Sequence, residues 1–583
     1  MRKLLLAGSI LALAVPAHAD ANGDLVTLVN DVWAASLKEQ PVYASALGVN
    51  DYASELGDYT LAAQDRRAAD AAKFLTRLNA IPSDSLNAAS KVEAGILRRA
   101  LNSTIEGNSF GQRAINFTTY SSWHQQLAGM AQNLPFRTKA DFESYNARLA
   151  QYARVNDENI AVANVAIKGK YTQPCVTLKG FEGTISGLIT TDVNTSRFYE
   201  PYAKKRPAGI SEADFASLAK AAETTIRTVI HPALNKQLAW YTASYKPACA
   251  TAPGVSAQPG GDTYYAFRVR EETTTSLTAE QIHQIGLNEV ARIRAEMVEV
   301  ASKAGYPSRE AFIQHLRTDP QYYAKTPEEL MEKVARVTKI IDGKMPSLFG
   351  RLPRLPYGIK EIPAETAEGT TTAYYNPGSP QVGISGTYFV NTSKLSQRPF
   401  WEIPALSVHE AVPGHHNQIA LQQELPLSDF RKYGASFTAF TEGWGLYSER
   451  LGIEMGLYDT PAKDMGRLSY EMWRACRLVV DTGIHAKGWS KQQAIDFMTD
   501  NSALSAANIE AEVNRYISWP GQALAYKLGE LKIRELRTMA TKELGPKFNL
   551  AAFHDAVLGQ GSVPLDVLEQ QIKDWVAAEK AKG

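Results

Sequence analysis

Ser407-Val408-His409-Glu410-Ala411-Val412-Pro413-Gly414-His415-His416 gathers three of the chain's ten histidines within eight residues, next to a carboxylate. Imidazole nitrogen and carboxylate oxygen are ligands that divalent zinc accepts, and a catalytic zinc site needs three of them plus one open position. The spacing departs from the H-E-x-x-H pattern, in which two histidines four apart share one helical face and the Glu beside the first acts on water. In an unbroken helix His409 and His415 would point roughly 120° apart. Pro413 removes the backbone donor that would reach the carbonyl of His409, and Gly414 is free to take positive φ. The segment therefore predicts a helix broken at Val412-Pro413-Gly414, with His415 turned back toward His409. His416 is the alternative second ligand: seven positions restore the facing direction, but at a rise of about 10.5 Å along the axis.

Further along runs Phe440-Thr441-Glu442-Gly443-Trp444-Gly445-Leu446-Tyr447-Ser448-Glu449. Related stretches are Thr278-Ala279-Glu280-Gln281-Ile282-His283, Arg477-Leu478-Val479-Val480-Asp481-Thr482-Gly483-Ile484-His485 and Trp519-Pro520-Gly521-Gln522-Ala523-Leu524-Ala525-Tyr526-Lys527. On these elements and the histidine segment, the chain resembles the bacterial domain of unknown function 885 family over most of its length. In pattern and helical character it is similar to gluzincin zinc peptidases such as carboxypeptidase Taq and the thimet oligopeptidases. The resemblance to their second zinc helix implies that Glu442 completes a zinc site with His409 and His415. Glu449, two turns on along the same face, is expected to accept a hydrogen bond from a ligand or nearby backbone.

The implied chemistry is hydrolysis by a zinc-activated water, with Glu410 taking the proton and returning it to the leaving amine. An oxyanion needs one further donor, and His485, Tyr516 and Tyr526 are the candidates. Asp481, about one turn before His485, is expected to orient that imidazole. Arg515 is placed as a bidentate partner for a substrate carboxylate, whereas Arg474 and Arg477 are expected in ion pairs, Arg477 with Asp481 one turn away. His283 is read as structural. The favoured activity is a zinc peptidase acting on short or unfolded peptides. The alternatives are an amidase on a non-peptide or cell-wall-derived amide, and a non-catalytic binding protein whose metal is structural, with His416 as a fourth ligand.

Outward from these motifs, helical periodicity dominates. Leu25, Leu28, Val29, Val32 and Trp33 recur as one buried stripe, and the stretches from Asp65 to Arg77 and from Ala140 to Ala153 favour helix by propensity. Thr278 with Gln281 forms a capping-box signature. A Pro-, Gly-, Ser- and Ala-rich break at Pro247 to Gly261 divides an N-terminal helical lobe, residues 20–260, from a catalytic helical lobe, residues 261–583. Between about 368 and 392 the pattern changes to short strands at Thr370–Tyr375, Gln381–Ile384 and Thr387–Val390. Tyr374, Tyr375 and Asn391 are placed along that small sheet as the edge that holds extended substrate. The expected architecture is mainly α, two-lobed, with a deep cleft and a small sheet near the zinc helix.

Arg2-Lys3, the apolar run Leu4 to Val15 and Ala17-His18-Ala19 read as a signal peptide over residues 1–19, making the protein periplasmic or secreted. No cysteine ends that run, which argues against lipid attachment, and no later stretch approaches the roughly 20 apolar residues of a membrane span. A net charge of +1 with dispersed Lys and Arg gives no basic stripe for nucleic acid. Three cysteines exclude a disulfide-built scaffold. Cys175 and Cys249, each with a proline shortly before it, suit a loop-to-loop bridge, with two free thiols as the open alternative, and Cys476 is read as a buried thiol.

Overall fold

The computed structural model of the chain describes residues 20–119, 121–368 and 370–582; the expected signal peptide lies outside them. The described chain is mainly helical with one three-stranded sheet. The helices start where the sequence places caps. Thr278 accepts from the Gln281 N–H, and Gln281 closes the reciprocal bond, so that two otherwise orphaned donors are satisfied at the head of α1 (Ala279–Lys303). The stretch 140–153 is split between two helices, Lys139–Ala150 and Tyr152–Gly169. No helix among the described residues is long and apolar enough to cross a membrane.

Three large apolar clusters hold the molecule. Residues from Leu56 to Tyr245 form one, rich in aromatic rings that meet mostly edge-on or tilted. A second joins the first helices, through Leu25, Leu28 and Val29, to Val408, Phe440, Trp444, Tyr447 and the C-terminal helices. The third packs α1 against the sheet and against α5 (Pro461–Lys487). Helix α5 is the axis of this part: nearly every residue from Met465 to His485 is buried, as expected of a helix enclosed on all sides. Cys175 and Cys249 are disulfide-bonded, and Cys476 is a buried free thiol.

The sheet has the order β1-β3-β2, where β1 is Tyr357–Glu361, β2 Ala373–Asn376 and β3 Gly386–Val390. β1 runs parallel to β3, with Tyr357 opposite Gly386, and β2 antiparallel, with Ala373 opposite Val390. Two strands fall inside the expected span. β1 lies before it, and residues 380–382 form a single 3-10 turn rather than a strand. β2 ends the sheet on one side and leaves an edge toward the cleft.

Candidate metal centre

Three helices build the centre. Helix α2 (Ile403–Glu410) is two turns long and buried on every side. It stops at Ala411, whose ψ of −114° leaves the helical region, and the chain restarts as α3 (His415–Glu424). The Val412–Pro413 peptide between them is cis. Gly414 does not take the positive φ expected of it; its φ is −71°. Glycine is required here for room instead, since a Cβ would lie 1.9 Å from the carbonyl oxygen of His409. The Gly414 N–H donates to the Val408 carbonyl at 2.9 Å, and the Trp444 indole N–H donates to the Pro413 carbonyl at 2.7 Å. Trp444 thus ties the break to α4 (Thr438–Leu451), which carries Glu442 and Glu449 on one face.

Helix α4 can sit this close because its glycines are bare. A Cβ on Gly445 would come 2.8–3.1 Å from three atoms of the His409 ring. On the other side, Gly443 meets Gly529 of α7 (Ala525–Leu544), where an added Cβ would lie 2.5 Å from the Gly529 Cα. This contact sets Tyr526, in the first turn of α7, beside the His409 ring, the two stacked at 6.3 Å.

His409 Nε2 lies 3.6 Å and His415 Nε2 3.3 Å from Glu442 Oε2. One ligand atom from each of the three residues falls within 4.8 Å of the others. A tetrahedral zinc with bonds of about 2.0–2.1 Å separates its ligands by roughly 3.4 Å, so the spacing suits one ion. The charges point the same way. His409 Nδ1 bonds Glu449 Oε1 at 2.8 Å, which turns Nε2 toward Glu442. Glu442 Oε2 itself is buried with no hydrogen bond of good geometry. Two imidazole nitrogens and buried negative charge converge on a point that calls for positive charge, protons on the rings or a metal ion in their place. Burial works to lower the His409 pKa, yet Glu442 and Glu449 raise it to about 9; burial works to raise that of Glu442, yet His415 and His409 hold it well below the carboxylate range. His409 is 2% exposed, while the side chains of His415 and Glu442 keep 10% and 17% open, so the cluster is closed behind and open in front.

The open side faces a cavity of about 620 Å³ lined by His409, Glu410, His415, Glu442, Tyr374 and Tyr375, among others. Glu410, the last residue of α2, follows a ligand directly and lines the same cavity. Tyr526 and Arg515 line it as well, with the Arg515 guanidinium donating to the Tyr526 hydroxyl at 2.9 Å. Burial raises the Tyr526 pKa, so the phenol keeps its proton as a donor.

His416 is held elsewhere. Its Nε2 donates to the Leu355 carbonyl at 2.9 Å, so its Nδ1 accepts from the Tyr375 hydroxyl, also at 2.9 Å. Both ring nitrogens are used, and the rival ligand is a packing residue between α3 and the sheet.

Several sequence-placed residues are not brought to the cavity. His485 is enclosed in packing, its Nδ1 accepting from the Val255 N–H and its Nε2 donating to the Tyr516 carbonyl. Asp481 does not orient it; that carboxylate accepts from the Tyr265 hydroxyl and the Gly521 N–H. Tyr516 is fully buried, its hydroxyl accepting from Trp473 Nε1 and Arg477 Nε. Arg477 pairs with Glu512 at 2.7 Å rather than with Asp481. Asn391 is buried behind the sheet, donating to the carbonyls of Ala367, Thr370 and Thr371. His283, read as structural, bonds the Thr482 hydroxyl. The sequence reading missed Gly445, Gly443 with Gly529, and the Trp444 indole; the alternation Gly443-Trp444-Gly445 beside a ligand was the available signal.

The model of a bacterial protein family of unknown function, DUF885, matches residues 41–572. No curated protein matches the chain. Among solved structures, a candidate lipoprotein from Colwellia psychrerythraea is similar, with a TM-score of 0.87 and 28% identity over 96% of this chain and 100% of that one. A candidate lipoprotein of unknown function from Shewanella oneidensis shares the fold, with a TM-score of 0.70 and 19% identity over 94% of this chain and 99% of that one.

Proposed function

The chain belongs to the DUF885 family, whose description assigns no reaction, and from the site itself we propose a zinc-dependent hydrolase that cuts peptide bonds in short or unfolded chains. The single observation that carries this reading is the convergence of His409 Nε2, His415 Nε2 and an undonated Glu442 oxygen at the floor of a cavity. His409, His415 and Glu442 would hold the ion. Zinc there would supply a Lewis acid that polarises a carbonyl and makes water acidic.

The remaining work falls to the chain's own groups. Glu449 holds the His409 ring in one tautomer, and Arg474, 3.2 Å from the same Glu449 oxygen, balances that carboxylate. Glu410 takes a proton from water and delivers it to the departing amine. Tyr526 offers its hydroxyl to the developing oxyanion. β2, the outer strand of the sheet, runs along the cavity with Tyr374 and Tyr375, where an extended peptide would lie beside it. A purely structural metal would be closed by a fourth protein ligand; His416, the nearest further imidazole in sequence, has both nitrogens engaged away from the cluster.

The leader-like first residues and the lipoprotein descriptions of the structural neighbours support an exported protein.

The test is metal content with peptide turnover in wild type and Glu410→Gln. One zinc per chain in both proteins, with turnover of a peptide mixture reduced by about 10²–10⁴-fold in the variant, is the expected result. Wild-type protein that binds no divalent metal, or that turns over no peptide when zinc is bound, overturns the reading.

A further inference from the structure

Resting on the metal-site reading above, we infer that Trp473, Arg474, Arg477 and Tyr516 are positioning residues: together they form a buried circuit that fixes the His409 ring and the Tyr526 phenol against one another.

Trp473, Arg474 and Arg477 follow Tyr470 by three, four and seven residues along α5, so the four share one face of that helix. All four are buried. The Arg474 guanidinium lies 4.0 Å from the centre of the Trp473 ring and 4.9 Å from that of Tyr470. Arg477 lies 4.7 Å from the same Trp473 ring and 4.1 Å from the Tyr526 ring. Cations and rings thus alternate from α5 to the first turn of α7. Both ends of this column meet His409. At one end Arg474 reaches Glu449 Oε1 at 3.2 Å, and that same oxygen bonds His409 Nδ1 at 2.8 Å. At the other, the Tyr526 ring lies 6.3 Å from the His409 ring and within 16° of parallel to it. His409, Glu449, Arg474, Trp473, Arg477 and Tyr526 therefore close into a loop.

One hydroxyl locks the middle of that loop. The Tyr516 oxygen accepts from Trp473 Nε1 and from Arg477 Nε, each at 2.9 Å, so the indole and the guanidinium are held to a common point. Glu512, one turn before Tyr516 on the helix Ala506–Ser518, accepts from Arg477 Nη2 at 2.7 Å. A planar guanidinium suits this place because it stacks on rings and bonds in its own plane at once.

Stability alone does not account for the arrangement. Buried ion pairs carry a desolvation cost, and apolar side chains of similar volume are often as stable or more so. What the circuit secures is relative placement. His409 would hold the ion and Tyr526 faces the oxyanion, and a misplacement of about 1 Å between such groups costs about 100-fold in rate. Tyr516, expected from sequence at the oxyanion, does not line the cavity and acts through Trp473 and Arg477.

The experiment puts cobalt(II) in place of zinc in the full chain, so that the visible spectrum reports the geometry of the ligands, and compares wild type with Tyr516→Phe and Trp473→Phe. The first removes the shared acceptor and the second one of its donors. Each should shift the cobalt bands, weaken zinc about 10-fold against a chromophoric chelator, the lower end of what losing a partner behind a ligand costs, and lower kcat with KM unchanged. Tyr145→Phe is the matched control. It deletes another buried hydroxyl, bonded to the Phe198 carbonyl in the aromatic-rich cluster, and should lower the urea midpoint while leaving the cobalt spectrum as in wild type. Wild-type bands and zinc affinity in both Tyr516→Phe and Trp473→Phe, or the same shift in Tyr145→Phe, overturn the inference and leave the metal site standing. A wild-type chain that takes up neither cobalt nor zinc removes both.

Discussion

Replacing Gly445 by alanine separates the packing of the metal centre from the stability of the fold. Gly445 lies three residues after Glu442 and four before Glu449, on the face of α4 that the His409 ring covers. An added methyl would sit 2.8 Å from Cε1, 2.9 Å from Nε2 and 3.1 Å from Nδ1 of that ring. Ordinary contact begins near 3.4 Å, so the ring must retreat by about 0.6 Å, roughly three times the 0.2 Å within which a metal–ligand distance is expected to fall. The hydrogen bond from Nδ1 to Glu449 resists the retreat. Against this, alanine gains about 1 kcal/mol over glycine in a helix interior, and a tight core accommodates an extra methyl at about 1–3 kcal/mol. The two terms nearly offset, so the metal-free variant should unfold in urea within about 2 kcal/mol of wild type. Zinc affinity, by competition with a chromophoric chelator, should fall at least about 10–100-fold, the range seen when a ligand loses its orientation. A folded Gly445→Ala protein that binds zinc as wild type does would show that the His409 ring is not the ligand this geometry makes it.

Two further perturbations probe the surroundings. Trp444→Phe removes the donor to the Pro413 carbonyl and should lower the unfolding free energy by about 1–3 kcal/mol, the cost of stranding a buried acceptor; an unchanged urea midpoint would mean the break between α2 and α3 does not depend on that bond. Asp481 has its pKa raised to about 7, burial being the main cause, with Tyr265 and the Gly521 N–H only partly opposing it. Between the ordinary 3.8 and 7 the folded state holds the extra proton, so this group's contribution is complete below the lower value and is lost as pH rises through the upper one. Wild type should therefore lose stability relative to Asp481→Asn between about pH 4 and 7, and parallel urea-derived stability curves for the two proteins would refute that account.

What could be read from the chain before its fold follows from the range of the interactions involved. The caps, the helical stripes and the break at Pro413 depend on residues within a turn or two, and a single sequence displays them. So does the pairing of two histidines with an acid, because few other patterns concentrate metal-binding side chains so tightly. The choice between His415 and His416 is another matter. It depends on the Leu355 carbonyl and the Tyr375 hydroxyl, groups 61 and 41 residues away in sequence, and no local spacing reports them. The same limit explains His485, Tyr516 and Asn391. Each looked like a polar group in search of a substrate, and each is instead saturated by neighbours from distant segments, as buried polar groups must be. Asp481 makes the point from the other side: its neighbour one turn away, Arg477, prefers Glu512 on α6 (Ala506–Ser518). Unsaturated polar atoms occur elsewhere in the chain as well, so the functional signal lies in their convergence: Glu442 Oε2 is left without a good hydrogen bond at the point where His409 and His415 also meet, and a metal ion would satisfy there what the protein leaves open.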